Sequence, residues 1–515
     1  MRRMLLSIDC GTQSLRTLLF SESGELCDSV KIDYEPYVSP CPGWAEQDPE
    51  IFWESLVKGC RGLKEKNPAG FEAIEGVGLA TQRATMINLD IHGKGLRPAV
   101  IWLDRRKADD LFPYKSFIYP VLSLAGSRRK VSRLYREGKC NWIRQHQPEI
   151  WKATHKYVQV SGFLNYRLTG EFKDSVASQI GHIPFDYKKM RWSGRLGAAS
   201  ILYPVEREKL PELVRPGEAI GEIWSRAAEE TGLKKGLPVI ACGSDKGCET
   251  LGMGVVDNQT ASLSFGTTAT VQLMSPSYFE PLPMMPPYPA PMPGYYNPEI
   301  EIFRGYWMIT WFKNQFAHQE VEQANQKGVS AESELDALLK QSPPGAGGLI
   351  AQPYWGPGLN HPDAKGAIIG FGDVHTKAHV YRAVIEGLAY ALLEGVQVLE
   401  RRGKNSIRKL AVSGGASQSN QICQISADIF NRPLVRGRTT ETSGLGAAIV
   451  TAAGVGIYPS INEAMKNMVT YVDTFLPDPG NASIYEMLFQ RVYLRIYPSL
   501  RKLYRQIEAI TTAGE

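Results

Sequence analysis

At 515 residues the chain is too long for one ordinary hydrophobic core, and two domains of about 250 residues each are expected. Its composition, 43% hydrophobic and 22% charged, is that of a soluble globular protein. A net charge of +5 is too small an excess to argue for a nucleic-acid or membrane partner.

The first apolar run is broken at Asp9, too early for the core of a signal peptide, and no run approaches the roughly 18 residues of a membrane span. The eight cysteines are scattered, without a CxxC pair, which fits reduced thiols in the cytoplasm.

In chain order, apolar runs at 4–9, 15–20 and 26–34, separated by turns at Gly11 and at Ser23-Gly24-Glu25, predict a three-stranded meander. Asp48-Pro49-Glu50 reads as a helix start with Asp48 as the cap, and Phe52, Leu56, Cys60 and Leu63 supply its apolar face. Further strands are expected at 74–81, 86–89 and 100–103. Arg128, Arg129, Lys130, Arg133, Arg136 and Lys139 read as a solvated basic helix face.

A second strand–Gly-Thr–strand hairpin occupies 261–274 and has the form of 5–19, about 255 positions earlier. Two halves on one plan follow, with the boundary near 250–260, giving domains 1–255 and 256–515. Residues 281–298 are too rich in proline for a helix or a central strand and read as an ordered surface loop. An amphipathic helix is expected over 381–402, then a strand at 407–412, Gly414-Gly415 and another helix. His375 and His379 lack an acidic partner and read as surface or capping residues.

Three segments could carry chemistry. In DCGTQSLR (9–16) an acid ends a strand before a tight turn; Thr12, Ser14, Arg16 and backbone N–H groups could cradle phosphate, and Asp9 could hold Mg²⁺. The competing reading is a solvated hairpin turn, and Gly266-Thr267-Thr268, as a second such turn, favours the cradle. In PVIACGSDKGCETLGMG (238–254) Asp245 stands where a strand gives way to a helix. It is either a general base for an alcohol acceptor or the cap of that helix. In strand–GGASQSN–helix (407–430), glycines allow a flat ligand to approach the backbone. Neither a GxxxxGK[ST] nor a GxGxxG segment occurs, excluding P-loop and typical dinucleotide sites.

In this order the segments resemble the FGGY carbohydrate kinases. DCGTQSLR is similar to that family's first phosphate loop, PGWAEQDPEIFW (42–53) to its substrate-lid segment, and KCNWIRQH (139–146) to its first signature, with Cys140 at an aliphatic or aromatic position. GAIIGFGDVHTKAHVYRAVIE (366–386) is similar to the second signature, and VSGGASQSN (412–420) to the adenosine loop. The resemblance implies an α/β fold of two actin-like, RNase-H-like domains with a catalytic cleft between them, and ATP and Mg²⁺ as cofactors. It implies Asp245 as general base, with Asp9 and Asp245 holding Mg²⁺ through water. Thr12, Gln13, Gly266 and Thr267 would meet phosphates, and Gly415, Ala416 and Asn420 would line the adenosine site. Gln82, Arg83, Trp102 and Asp104 would face the acceptor, the alternatives being a core Trp102 and an Asp104 paired with Arg105 or Arg106.

Glycerol kinases typically carry Gln-Arg-Glu where this chain has Gln82-Arg83-Ala84, so a neutral polyol or ketose larger than glycerol is expected. Lys246, in place of the usual amide, keeps a sugar-acid acceptor open. A non-catalytic actin-like nucleotide-binding protein is the other alternative, and a homodimer is compatible with the pattern.

Overall fold

The computed structural model describes residues 3–35, 37–110, 128–356, 361 and 363–512. It divides into two compact units. The first is Met1–Gly254 with Tyr288–Tyr296 and Glu441–Val469; the second is Val255–Pro287, Asn297–Thr440 and Thr470–Glu515.

The opening meander forms as its apolar runs and turns dictate, and its first two strands are buried almost throughout. Strands Met4–Cys10, Ser14–Ser21 and Leu26–Asp33 pair antiparallel in sequence. Ile74–Thr81 then adds parallel to Met4–Cys10, Pro238–Ser244 adds parallel beyond it, and Ala219–Glu222 closes that edge antiparallel. The helix Glu50–Lys66 covers the sheet with Phe52, Leu56, Cys60 and Leu63 buried. Its cap position is Pro49, one residue later than expected, because proline tolerates a first turn with no N–H partner. Asp48 still accepts the Glu50 N–H at 3.0 Å.

The second unit repeats the order. Thr260–Phe265, Ala269–Gln272 and Glu299–Ile302 form an antiparallel meander. Lys409–Ser413 and Leu434–Gly437 add in parallel beside the first strand, and Tyr471–Phe475 closes antiparallel. Two sheets with the same strand order and the same sequence of strand directions account for the paired hairpins. Each unit is thus an α/β layer of the RNase-H-like type found in actin-like ATPases. The long helix Lys377–Gly403 buries Ile385, Leu388, Leu392, Val396 and Leu399 against the second sheet. His379 completes a capping box with Thr376 at its start, and His375 shares hydrogen bonds with Gly372 and Gly347.

Two late segments join the first unit, which a single boundary near 255 does not anticipate. The helix Thr442–Gly454 lies against the helix Asp245–Gly252 at backbone distance: a β-carbon on Gly446 would overlap the Cys248 carbonyl, and one on Gly252 the Thr442 carbonyl. Residues 288–296, from the Pro-rich stretch, bury Ala290 and Met292 rather than forming a simple surface loop. Pro291 packs where a β-carbon on Gly243 would stand 3.3 Å away. The strand expected at 100–103 ends at Val100, and Trp102 and Leu103 turn outward.

Candidate active site

Asp9 and Asp245 lie at the ends of two strands of the first sheet that flank Ile74–Thr81. Asp9 is the penultimate residue of its strand, and Asp245 is the first residue of the helix that follows Pro238–Ser244. Asp245 is not the cap of that helix. Ser244 takes the role, its hydroxyl accepting the Gly247 N–H at 3.1 Å. The Asp245 carboxylate accepts the Lys246 N–H at 2.7 Å and stands 3.9 Å from Arg83 Nε.

The charge of Asp245 acts on Asp9. The Asp9 carboxyl is pushed up from 3.8 to about 7, mainly by burial and then by the charge of Asp245 against the pull of Arg16, with smaller rises from Glu441 and Glu249. Asp245 is also raised by burial, while Arg83 and Lys246 hold it down. Arg16, expected as a phosphate ligand, lies 3.6 Å from both Asp9 Oδ2 and Glu441 Oε1. Among the described residues no three His, Cys, Asp or Glu side chains gather as a ligand set. Two part-buried carboxylates, the charge of Asp245 raising the proton affinity of Asp9, suit Mg²⁺, which needs few carboxylates and keeps several waters.

The first hairpin turn is held from three sides. Gly11 N–H donates to the Ser14 carbonyl at 3.0 Å. Gln82 donates to the Gly11 carbonyl at 3.1 Å and accepts from Thr12 Oγ1 at 3.3 Å, and Gln47 donates to the Thr12 carbonyl at 3.0 Å. Gln13 is exposed while Ser14 is buried. Gln82, expected to face an acceptor, is 3% exposed, and its amide is spent on this turn. Trp102 is 41% exposed and not core, and its indole donates to Thr12 Oγ1 at 2.9 Å.

Asp104 is a correction. Its side chain is fully buried, accepting from Arg106 Nε at 2.8 Å, Arg106 Nη2 at 2.7 Å and the Ala45 N–H at 2.6 Å, so no acceptor reaches it. Lys246 is the second: its ammonium pairs with Glu249 at 2.7 Å. Lys139 is the third. It leaves the basic face to bury its tip against the Ala84 carbonyl, with its pKa lowered to about 7, mainly by burial.

In the second unit the turn after Phe265 is braced by Gly305 and Tyr306, whose N–H groups each donate at 2.9 Å to the Thr267 and Gly266 carbonyls. Gly414 has φ +88°, and a β-carbon there would lie 2.7 Å from the Phe265 carbonyl carbon, so the hairpin and the 414–420 loop meet through bare backbone. Gly415 is exposed with no atom within 4 Å of a β-carbon, and Ala416 beside it is half-buried. Asn420 Oδ1 accepts from Arg436 at 2.8 Å, and Arg436 also donates to the Ser417 and Gln418 carbonyls.

Sequence reasoning missed Arg436, Glu441, Gln47 and Tyr288. The Arg83 guanidinium carbon lies 5.2 Å from the centre of the Tyr288 ring, some 205 positions downstream, and no local pattern announces that meeting.

Residues 4–252 match the N-terminal domain model, and residues 261–455 the C-terminal domain model, of the FGGY family of carbohydrate kinases. The chain belongs to that family. It is an ATP-dependent carbohydrate kinase, transferring a phosphoryl group to a sugar or polyol hydroxyl. This kinase is 28% identical over 498 residues to an uncharacterized sugar kinase of Escherichia coli (strain K12), covering 96% of this chain and 93% of that protein. It is 27% identical over 521 residues to the xylulose kinase of Lactococcus lactis, covering 99% of each. In fold it is similar to the gluconate kinase of Lactobacillus acidophilus (TM-score 0.83, 20% identity, 98% of this chain and 100% of that one). The ligand-bound xylulose kinase of the same organism gives a TM-score of 0.81 at 21% identity, covering 98% and 100%.

Proposed function

We propose that this kinase phosphorylates a neutral ketose or polyol larger than glycerol, with Asp245 as the general base. The observation that carries the reading is the Asp245 carboxylate. It stands at a strand end, is released from capping by Ser244, and is faced by Arg83 at 3.9 Å. An alcohol accepting a phosphoryl group needs such a carboxylate within reach of its proton. Burial raises Asp245, which strengthens it as a base, while the charges of Arg83 and Lys246 favour its ionised form.

Arg83 and Trp102 border the proposed acceptor side of the first unit. Thr12, Gln13 and the turn N–H groups are assigned to phosphate, together with Gly266 and Thr267 of the second unit. Gly415, Ala416 and Asn420 are assigned to the adenosine. Asp9 and Asp245 would hold Mg²⁺, largely through water; when bound, the ion offsets phosphate charge as the group transfers. Arg16, beside Asp9, holds that carboxylate in place and balances Glu441.

The relatives named xylulose kinases support a ketose, and Ala84 supplies no carboxylate to bind a small polyol. The sugar-acid alternative loses its main support, since Lys246 is paired with Glu249.

ADP release, coupled and followed over tetritols, pentitols, ketoses and sugar acids, tests the reading. A ketose such as D-xylulose is expected to give the highest kcat/KM. ATP hydrolysis indifferent to every sugar would instead favour the nucleotide-binding alternative.

A further inference from the structure

We infer that Lys139 is a positioning residue that clamps the turn 82–85 in its working shape. This rests on the reading of Arg83 and Asp245 given above.

The turn connects the strands Ile74–Thr81 and Met86–Leu89 and carries two functional side chains with different partners. Gln82 secures Gly11 and Thr12; Arg83 faces Asp245. Its third residue, Ala84, has φ +56°, a left-handed conformation that a side chain makes unfavourable. Both ends of Ala84 are held. Its N–H donates to Gln159 Oε1 at 3.0 Å, and Gln159 is itself fixed by donating to the Ile180 carbonyl at 3.0 Å. Its carbonyl accepts from the Lys139 ammonium. Room for the Ala84 methyl comes from Gly181, where a β-carbon would stand 3.1 Å away.

A buried ammonium at the first residue of a helix, Lys139–His146, is unfavourable twice over: it is desolvated, and it sits at the positive end of the helix dipole. Asp104 lies near enough to favour its charge, but Asp104 is committed to Arg106. The hydrogen bond to Ala84 is what the burial achieves. Left-handed backbone at residue 84, a donor on its carbonyl and an anchored acceptor on its N–H together form one device. Its output is the direction of Arg83.

The test is a double-mutant cycle on the full chain, with ATP and D-xylulose. Lys139→Met is expected to raise KM for D-xylulose about tenfold or more, the worth of a hydrogen bond from a charged donor. KM for ATP should stay unchanged. Glycine adopts positive φ freely, so Ala84→Gly in the Lys139→Met background should recover about fivefold, whereas Ala84→Gly alone should change little. Lys139→Arg, which keeps a donor, should fall between. Hydrogen exchange of the peptide spanning 82–85 is read on the same proteins without substrate: faster in Lys139→Met and restored by Ala84→Gly. Lack of recovery in both readouts overturns the inference. If the wild type does not phosphorylate D-xylulose, the acceptor reading fails and hydrogen exchange alone decides the clamp.

Discussion

Two adjacent glycines of the second unit separate what the protein needs from what its ligand needs. Gly414 has φ +88° and ψ 167°, a region open essentially to glycine alone, and a β-carbon there would stand 2.7 Å and 2.8 Å from the Phe265 carbonyl carbon and oxygen and 3.0 Å from Gly266 N. Gly414→Ala therefore incurs a backbone strain of about 1–3 kcal/mol. An overlap of about 1–3 kcal/mol adds to it, since backbone atoms cannot swing aside as a side-chain tip can. At about 2–4 °C per kcal/mol for a domain of this size, the melting temperature of the second unit should fall by at least about 4 °C. Gly415→Ala meets no atom within 4 Å and should melt like the wild type. If the adenosine lies against this loop, the new methyl occupies ligand space, and KM for ATP should rise while KM for the acceptor stays put. Differential scanning calorimetry with and without ATP, alongside steady-state kinetics, reads both effects. A Gly415→Ala enzyme with unchanged KM for ATP refutes the adenosine assignment, and a Gly414→Ala enzyme with unchanged melting refutes the packing argument.

Lys246→Met should leave the acceptor preference intact, because Lys246 is held by Glu249 at 2.7 Å; a selective loss of activity toward sugar acids in the same panel would show instead that the ammonium reads an anion. Asp174 accepts from Ser161, Gln179, Asn165 and the Ser175 N–H, yet burial pushes its carboxyl from 3.8 up to about 7. The folded protein thus holds this proton more tightly than the unfolded chain, so its contribution is fully present below pH 3.8 and is lost as pH rises toward 7. Asp174→Asn turns an amide donor toward groups that already donate, costing about 1–3 kcal/mol. Its stability gap from the wild type in urea unfolding should narrow between pH 5 and pH 8, and a constant gap would contradict the assigned shift.

Much of the fold was legible because its signals are local. Apolar runs at 4–9 and 15–20 and the repeated Gly-Thr turn define the two meanders, and Ile385, Leu388, Leu392 and Leu399 define the long helix by spacing alone. The failures are long-range. Nothing in 441–454 announces that this helix belongs with the first unit; glycines at 252 and 446 allow it, and they become meaningful only once the two backbones touch.

The same holds within the site. Asp9, Thr12 and Asp245 stand at strand ends, where a turn beside an apolar run exposes polar groups. Asp104 and Gln82 look the same in sequence, and only their partners, Arg106 for one and the Gly11–Thr12 turn for the other, reveal a structural task. Lys139 was misjudged because a run of basic residues hides the one member that turns inward.

The most direct test is turnover of Asp245→Asn, which keeps the shape of the side chain and removes its charge. With a general base lost, kcat should fall by about 10² to 10⁴. KM for ATP should hold, and the acidic limb of the wild-type pH profile, displaced above the ordinary carboxylate range by burial, should disappear from the residual activity. Turnover near the wild-type value, with that acidic limb still present, would contradict the assignment of Asp245 as the base.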